Sequence, residues 1–106
     1  MLMGHALRQR FWLERLLVTN ARGEHEYAEP ELHACRYQGT MKRIVTTDGE
    51  ERVAAGLMYC AVEVRPEDRV YPPGTSPDDE DAGKPPIHVV THVNLMGAVD
   101  HYEVYL

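Results

Sequence analysis

Apolar and polar residues alternate along most of this chain, which is the period expected of β-strands. The clearest alternation runs from Arg52 to Val64. One face of this segment presents Val53, Ala55, Leu57, Tyr59 and Ala61, and the other presents Ala54, Met58, Cys60, Val62 and Val64. Apolar residues therefore occur on both faces, which predicts a long strand that is partly covered on each side. Gly56 in its middle predicts a bend or a bulge.

Two hairpins are predicted from the short connections between such segments. Asp48-Gly49 separates the β-prone segment 41–47 from the segment 51–64. Asp-Gly between two β-prone runs is a strong hairpin signal, so we expect these segments to pair antiparallel. Gly97 lies in the connection between the alternating segments 87–93 and 99–106, which predicts a second hairpin. A further strand is predicted over 32–37.

The first eighteen residues fit two patterns. A helical stripe is formed by Leu2, Ala6, Leu7, Phe11 and Leu13, whereas residues 11–18 are dense enough in apolar side chains for a strand. We predict a short helical start followed by a strand from about Trp12 to Val18. Two long loops are predicted, a polar one over 19–30 and a proline-rich one over 72–86. Loops of this length in a small domain are usually functional or disordered.

Short strands, hairpins and the lack of a convincing long helix predict an all-β fold. The expected architecture is a small antiparallel β-barrel or sandwich with two long loops. The 106 residues give room for one domain, which is predicted to span 1–106.

The charge distribution narrows the function classes. The chain has 11 basic and 17 acidic residues, a formal net charge of -6. Four of the negative charges are consecutive, at Asp78, Asp79, Glu80 and Asp81. The rest of the chain is only mildly acidic, and the absence of a large basic face argues against sequence-specific DNA binding. No apolar run approaches the ~20 residues of a membrane span, and the first eight residues lack the apolar stretch of a secretory signal. We therefore expect a domain of intracellular type.

Histidines are the first residues to consider for chemistry. His88 and His92 share one face of a predicted strand, but at ~3.3 Å per residue they lie about 13 Å apart. One ion cannot bridge that distance, so a metal site would need one of them to combine with another ligand, such as His101 on the neighbouring strand. Partly exposed strand histidines are the simpler interpretation, and we expect no metal.

Other catalytic patterns are missing. The sequence contains no His-Glu-x-x-His motif, phosphate-binding glycine loop or serine nucleophile elbow. Cys35 has His33 on the same face, an arrangement that can activate a thiol. Ordinary packing of Cys35 and Cys60 as small hydrophobic residues is the alternative that we favour. The acidic run lacks the spacing of a calcium loop. We therefore predict no catalytic residues, no cofactor and no enzymatic activity.

An ordered set of segments resembles a known family. It comprises Thr-Thr-Asp-Gly-Glu-Glu at 46–51, a long strand ending at Val64, Arg65-Pro66-Glu67-Asp68-Arg69-Val70, a Pro/Gly turn, a late strand and the ending Asp-His-Tyr-Glu-Val-Tyr-Leu at 100–106. Over about residues 36–106 the chain resembles the head closure, or head-to-tail stopper, proteins of long-tailed double-stranded DNA phages. Many of these carry Val-x-Pro-Gly-Asp-x-Val after the long strand. Glu67 stands here where glycine is common.

The resemblance implies a structural role in the virion neck. Such proteins are small β-barrels that form a homo-oligomeric ring, for which a hexamer is favoured over a dodecamer. The ring joins the portal and adaptor above to the tail terminator or tail tube below, and it helps to retain the packaged DNA that passes through its channel. Assembly would occur in the host cytoplasm without a membrane. The family contributes no catalytic residues.

Two segments are candidates for this role. The acidic run at 78–81 would either face the channel, where carboxylates repel DNA phosphates, or dock on a neighbouring ring by charge complementarity. The terminal segment Tyr102, Glu103, Val104, Tyr105 and Leu106 would pair with a partner strand if it formed a sheet edge. Two alternatives remain open. One is another neck component, such as a helical adaptor or a tail-completion protein, and the other is a small metal-binding protein or enzyme that uses His88, His92 or His101.

Overall fold

The computed structural model describes residues 7–46 and 48–106, apart from the side chain of Glu80. These residues form eight β-strands and one 3₁₀ turn, Glu80–Ala82. The strands are β1 (Gln9–Glu14), β2 (Leu16–Thr19), β3 (His25–Tyr27), β4 (Glu31–Val45), β5 (Glu51–Cys60), β6 (Arg69–Tyr71), β7 (His88–Val93) and β8 (Val99–Tyr105). Among the described residues there is no helix with the length and apolar character needed to span a membrane.

Six strands form one antiparallel sheet in the order β6-β1-β4-β5-β8-β7, and this sheet curls into a half-barrel. Strands β2 and β3 form a second, two-stranded sheet. The predicted all-β class is confirmed.

Strand β4 is the spine of the large sheet. It pairs with β1 through its first residues and with β5 along most of its length. The sequence predicted two separate strands here, over 32–37 and 41–47. The structure bridges them with a register shift between Gly39 and Lys42. Gly56 lies opposite Gly39, and a Cβ on Gly56 would come within 2.6 Å of the Tyr37 ring. A larger residue at this position would force the Tyr37 side chain to move, so the close approach of the ring favours glycine.

Both predicted hairpins are present. Val45 pairs with Glu51 across the first turn, where Gly49 has a φ of 83° and donates its N–H to the Thr46 carbonyl. Strand β5 ends at Cys60, four residues before the predicted end. The following segment bends into a turn in which the Asp68 side chain accepts the Arg65 N–H.

Two groups of apolar side chains cover the sheet. The larger group contains Phe11, Leu13, Cys35, Met58, Cys60, Val64, Val70, Val104 and Leu106. The smaller group contains Ile44, Ala54, Leu57 and Tyr105. Neighbouring residues Leu57 and Met58 belong to different groups, which confirms that β5 is covered on both faces. Val53 and Ala55 are exposed whereas Ala54 between them is fully buried, so the first part of β5 is covered on one face only.

The N-terminal predictions need correction. Leu7 and Arg8 are not helical and β1 already begins at Gln9; the other residues of the predicted helical start lie outside the described residues. The predicted strand over 12–18 is divided between β1 and β2, because Leu16 turns its N–H to the Asp68 side chain.

The two predicted loops differ in character. The segment 19–30 contains strand β3, which pairs with β2. Its polar side chains are mostly exposed, so alternation gave no signal. The segment 72–86 contains no strand but is a series of hydrogen-bonded turns. Lys84 exchanges both backbone hydrogen bonds with Val70, each at 2.8 Å, so the end of this loop lies along β6.

Candidate assembly surface

The turn between β7 and β8 presents apolar side chains to solvent. Leu95 and Met96 are almost fully exposed, and Val93 and Val99 beside them are about half exposed. We call these four residues the apolar tip. Several large apolar side chains that are exposed next to one another are typical of a surface that binds another protein.

The turn that carries the apolar tip is held by its own hydrogen bonds. The Asn94 side chain accepts the N–H groups of Met96 and Ala98 at 2.9 and 3.1 Å. The Gly97 N–H donates to the Asn94 carbonyl, and Gly97 adopts a φ of 81°. Asparagine and glycine are the residues that favour such a turn. Leu95 and Met96 are therefore presented by a fixed backbone.

Strand β7 is the open edge of the sheet. It pairs on one side with β8, and no described strand pairs with its other side. The opposite edge, β6, is partly covered because Lys84 bonds to Val70. An unpaired edge offers N–H and C=O groups for β-augmentation. The strand available for a partner is thus β7.

The terminal segment does not lie at a sheet edge, where it would have to lie in order to pair with a strand of a partner. Strand β8 lies between β5 and β7 and pairs with both. Val104, Tyr105 and Leu106 are buried, and the Leu106 N–H donates to the Gly56 carbonyl at 2.9 Å. The terminal strand is therefore interior, because β7 occupies the edge that it would have offered. Tyr102 and Glu103 are half-buried.

The acidic run lies near the covered edge, β6. Asp78, Asp79 and Asp81 are exposed. The Asp79 N–H donates to the Ser76 carbonyl and the Ala82 N–H to the Asp79 carbonyl, both at 3.0 Å. A Cβ on Gly83 would lie 2.8 Å from the Tyr71 ring, so the backbone after the run packs directly on β6. The carboxylates are held by an ordered loop.

The histidines are divided by the register of β7 and β8. His92 pairs directly with His101, and Glu103 lies two residues further on the same face. The ligating atoms of these three side chains all lie within 4.8 Å of one another. His88 lies apart from them, beside the Tyr105 ring. The sequence analysis named His101 as a candidate co-ligand of either His88 or His92, and the register selects His92. It placed Glu103 only in the terminal strand.

The cysteines are packed in the core. Cys35 and Cys60 lie opposite each other on β4 and β5, and both are free and buried. Burial raises the pKa of each thiol to about 12. His33 is bonded to Glu31 at 2.8 Å instead of activating the thiol of Cys35. The packing interpretation is therefore the one that the structure supports.

One buried charge escaped the sequence analysis. Asp68 is only 3% exposed, and its carboxylate accepts the N–H groups of Leu16 and Arg65, each at 3.0 Å. It joins the start of β2 to the turn before β6. No described non-glycine residue has a positive φ, so Glu67 adopts an ordinary backbone conformation in this turn. The turn therefore does not need the glycine that is common at this position in the family that the sequence resembles.

Comparison with known proteins identifies no matching family model, and no curated protein or solved structure is significantly similar to the chain.

Proposed function

We propose that this chain is a structural head-to-tail stopper of a long-tailed phage, acting as one subunit of a ring in the virion neck. The ring would join the portal and adaptor to the tail and help to retain packaged DNA. The proposal combines the resemblance over residues 36–106 with a surface suited to contacts between copies.

The observation that carries this proposal is the apolar tip beside the open edge of β7. When another surface covers exposed Leu and Met side chains on a fixed turn, the burial of their apolar area stabilises the complex. The neighbouring edge can add backbone hydrogen bonds to the same contact. A contact of this kind joins two different surfaces of identical subunits, and repetition of such a heterologous contact closes a ring when the rotation fits.

The acidic run contributes to the proposed channel. Three exposed carboxylates on an ordered loop hold negative charge in a fixed place. Such a surface would repel DNA phosphates and let the polymer move without adhering. The same loop could instead dock on the adjacent ring, and replacement of its charges tests both roles.

A second neck component is the alternative. Adaptors in this setting tend to be helical, whereas residues 7–46 and 48–106 contain no α-helix. The all-β fold therefore supports the stopper over the adaptor. A tail-completion role is distinguished from it by location in the particle.

The experiment that tests the ring contact replaces the apolar tip. Leu95→Gln with Met96→Gln removes two exposed apolar side chains without changing charge or core. We expect the variant to fold normally but to fail to join particles when it replaces the natural chain. Leu17→Gln with Val18→Gln on β2 removes similarly placed apolar surface from the small sheet and serves as the matched control. Normal particles from the tip variant, or equal failure of both variants, would contradict the proposed contact.

A further inference from the structure

We propose that His92, His101 and Glu103 bind a divalent transition-metal ion, with Zn²⁺ as the best match, between β7 and β8. This site lies outside the apolar tip and the acidic run. It does not depend on the phage role proposed above.

The backbone brings the three ligands together. The direct pairing of His92 with His101 puts both imidazoles on one face of the sheet, and Glu103 follows on that face because side chains alternate. His92 Nε2 and Glu103 Oε1 lie 2.9 Å apart. Two ligands at about 2.0–2.1 Å from one tetrahedral ion are about 3.3–3.4 Å apart. The His92–Glu103 separation is about 0.4 Å shorter than this, so a small side-chain movement lets both atoms bind one ion.

A buried nitrogen of His92 without a hydrogen-bond partner is the second observation that points to a ligand. Its Nε2 is buried and makes no hydrogen bond, although the Glu103 carboxylate is close enough for an ion pair. Buried polar atoms are normally satisfied. A cation lying between the imidazole lone pair and the carboxylate would satisfy both groups.

Neighbouring groups orient the other two ligands. His101 Nδ1 lies 2.6 Å from Asp100 Oδ2, an arrangement in which Nδ1–H donates to the carboxylate and Nε2 is left as the ligand. The Tyr105 hydroxyl donates to Glu103 Oε2 at 3.0 Å, which leaves Oε1 toward His92. Carboxylates behind ligating histidines and hydrogen bonds to ligating carboxylates are the usual supports of metal sites.

The ligand set selects the metal. Two imidazoles and one carboxylate suit Zn²⁺ and similar transition ions, whereas Mg²⁺ and Ca²⁺ prefer oxygen ligands throughout. Water would take the fourth position. The His92 and His101 rings are stacked, with centroids 4.5 Å apart and planes inclined by 11°. A metal lies near the plane of each imidazole that binds it, so one ring must tilt when the ion enters.

The ion would join the edge strand to the interior of the sheet. His92 belongs to β7 and the other two ligands to β8, so the metal adds a link across this hairpin. The register shift that follows His92 lies next to Val93 of the apolar tip. Binding would therefore fix the base of the tip and stabilise the folded chain by mass action.

The test is metal titration of the full chain after removal of any affinity tag. Zn²⁺ is followed by calorimetry, and Co²⁺ by its visible absorption, which reports the ligand set. We expect one ion per chain. His92→Ala and His101→Ala should each abolish the Co²⁺ spectrum. His88→Ala, on the same face of the same strand, should bind as the natural chain does.

Two milder variants keep the proposal testable if an alanine variant fails to fold by circular dichroism. Glu103→Gln keeps the shape but weakens the ligand, and Asp100→Asn should weaken metal affinity by about 10–100-fold through His101. The proposal is overturned if the folded natural chain binds neither ion. It is also overturned if binding survives in the folded His92 and His101 variants, is lost equally in His88→Ala, or is unchanged in Glu103→Gln.

Discussion

Replacement of Asp68 by alanine should destabilise the fold far more than any other change in its turn. The carboxylate is 3% exposed and accepts two backbone N–H groups that come from distant parts of the chain, Leu16 and Arg65. Arg15 adds a weaker contact, with Nη1 at 3.9 Å from Oδ2. Alanine would leave both N–H groups without an acceptor.

The magnitude follows from those two donors. Each buried group that loses its partner costs about 1–3 kcal/mol. Because both hydrogen bonds are only partly buried, water can reach the site after the substitution, so we expect a loss of about 2–4 kcal/mol. Asp68→Asn keeps one acceptor oxygen but turns an amide N–H₂ toward the second donor, and it should cost about 1–3 kcal/mol. A small domain has only ~5–15 kcal/mol of total stability.

Urea unfolding followed by circular dichroism measures these losses. Glu67→Ala is the matched control, because Glu67 is the exposed neighbour in the same turn. Its effect should stay within about 0.5 kcal/mol. A cost below about 1 kcal/mol for Asp68→Ala, or equal costs for both alanine variants, would show that the carboxylate does not hold this junction.

Three further predictions concern the core, the cysteines and the loop. Leu57→Asp should unfold the domain, because an unpaired charge would replace a buried side chain, whereas Val53→Asp at an exposed position of β5 should leave the far-ultraviolet spectrum unchanged. Burial raises the pKa of the Cys35 and Cys60 thiols to about 12, so the unfolded chain releases these protons from about pH 8.5 while the folded chain keeps them. The free energy of unfolding should therefore be unaffected below that pH and fall by up to about 1.4 kcal/mol per pH unit for each thiol as the pH rises toward 12. In the double variant Cys35→Ala with Cys60→Ala, the urea concentration at the unfolding midpoint should fall less steeply with pH than in the natural chain. Equal steepness in the two proteins would contradict this prediction. Replacement of Asp78, Asp79, Glu80 and Asp81 by Asn or Gln should change the free energy of unfolding by less than about 0.5 kcal/mol. The same replacement should alter DNA retention or ring docking. Particles with normal DNA content, tails and infectivity would show that the loop is a passive spacer.

Local signals account for what the sequence predicted correctly. Asp48-Gly49 and Gly97 mark turns whose backbone needs are met by those residues alone, so both hairpins follow from adjacent positions. Alternation in β5 identified a strand that is covered on both faces. The second hairpin also makes the strand of His101 the neighbour of the strand of His88 and His92, which is why His101 was named as a candidate co-ligand of one of them.

The remaining features depend on contacts between distant residues. Strand β3 has few buried side chains, so its pairing with β2 leaves no apolar pattern to detect. The interior position of β8 depends on where β7 and β5 lie, and no property of residues 99–106 encodes it. Asp68 resembles an ordinary turn residue until Leu16, 52 positions earlier, brings an N–H to it.

The most direct test of the proposed role is electron microscopy of phage particles that contain this chain, with the chain located in the map. The account predicts a ring at the junction of head and tail, with six copies, or twelve, in contact through the apolar tip. A solitary subunit, a location away from the neck, or a ring in which Leu95 and Met96 remain in solvent would contradict it.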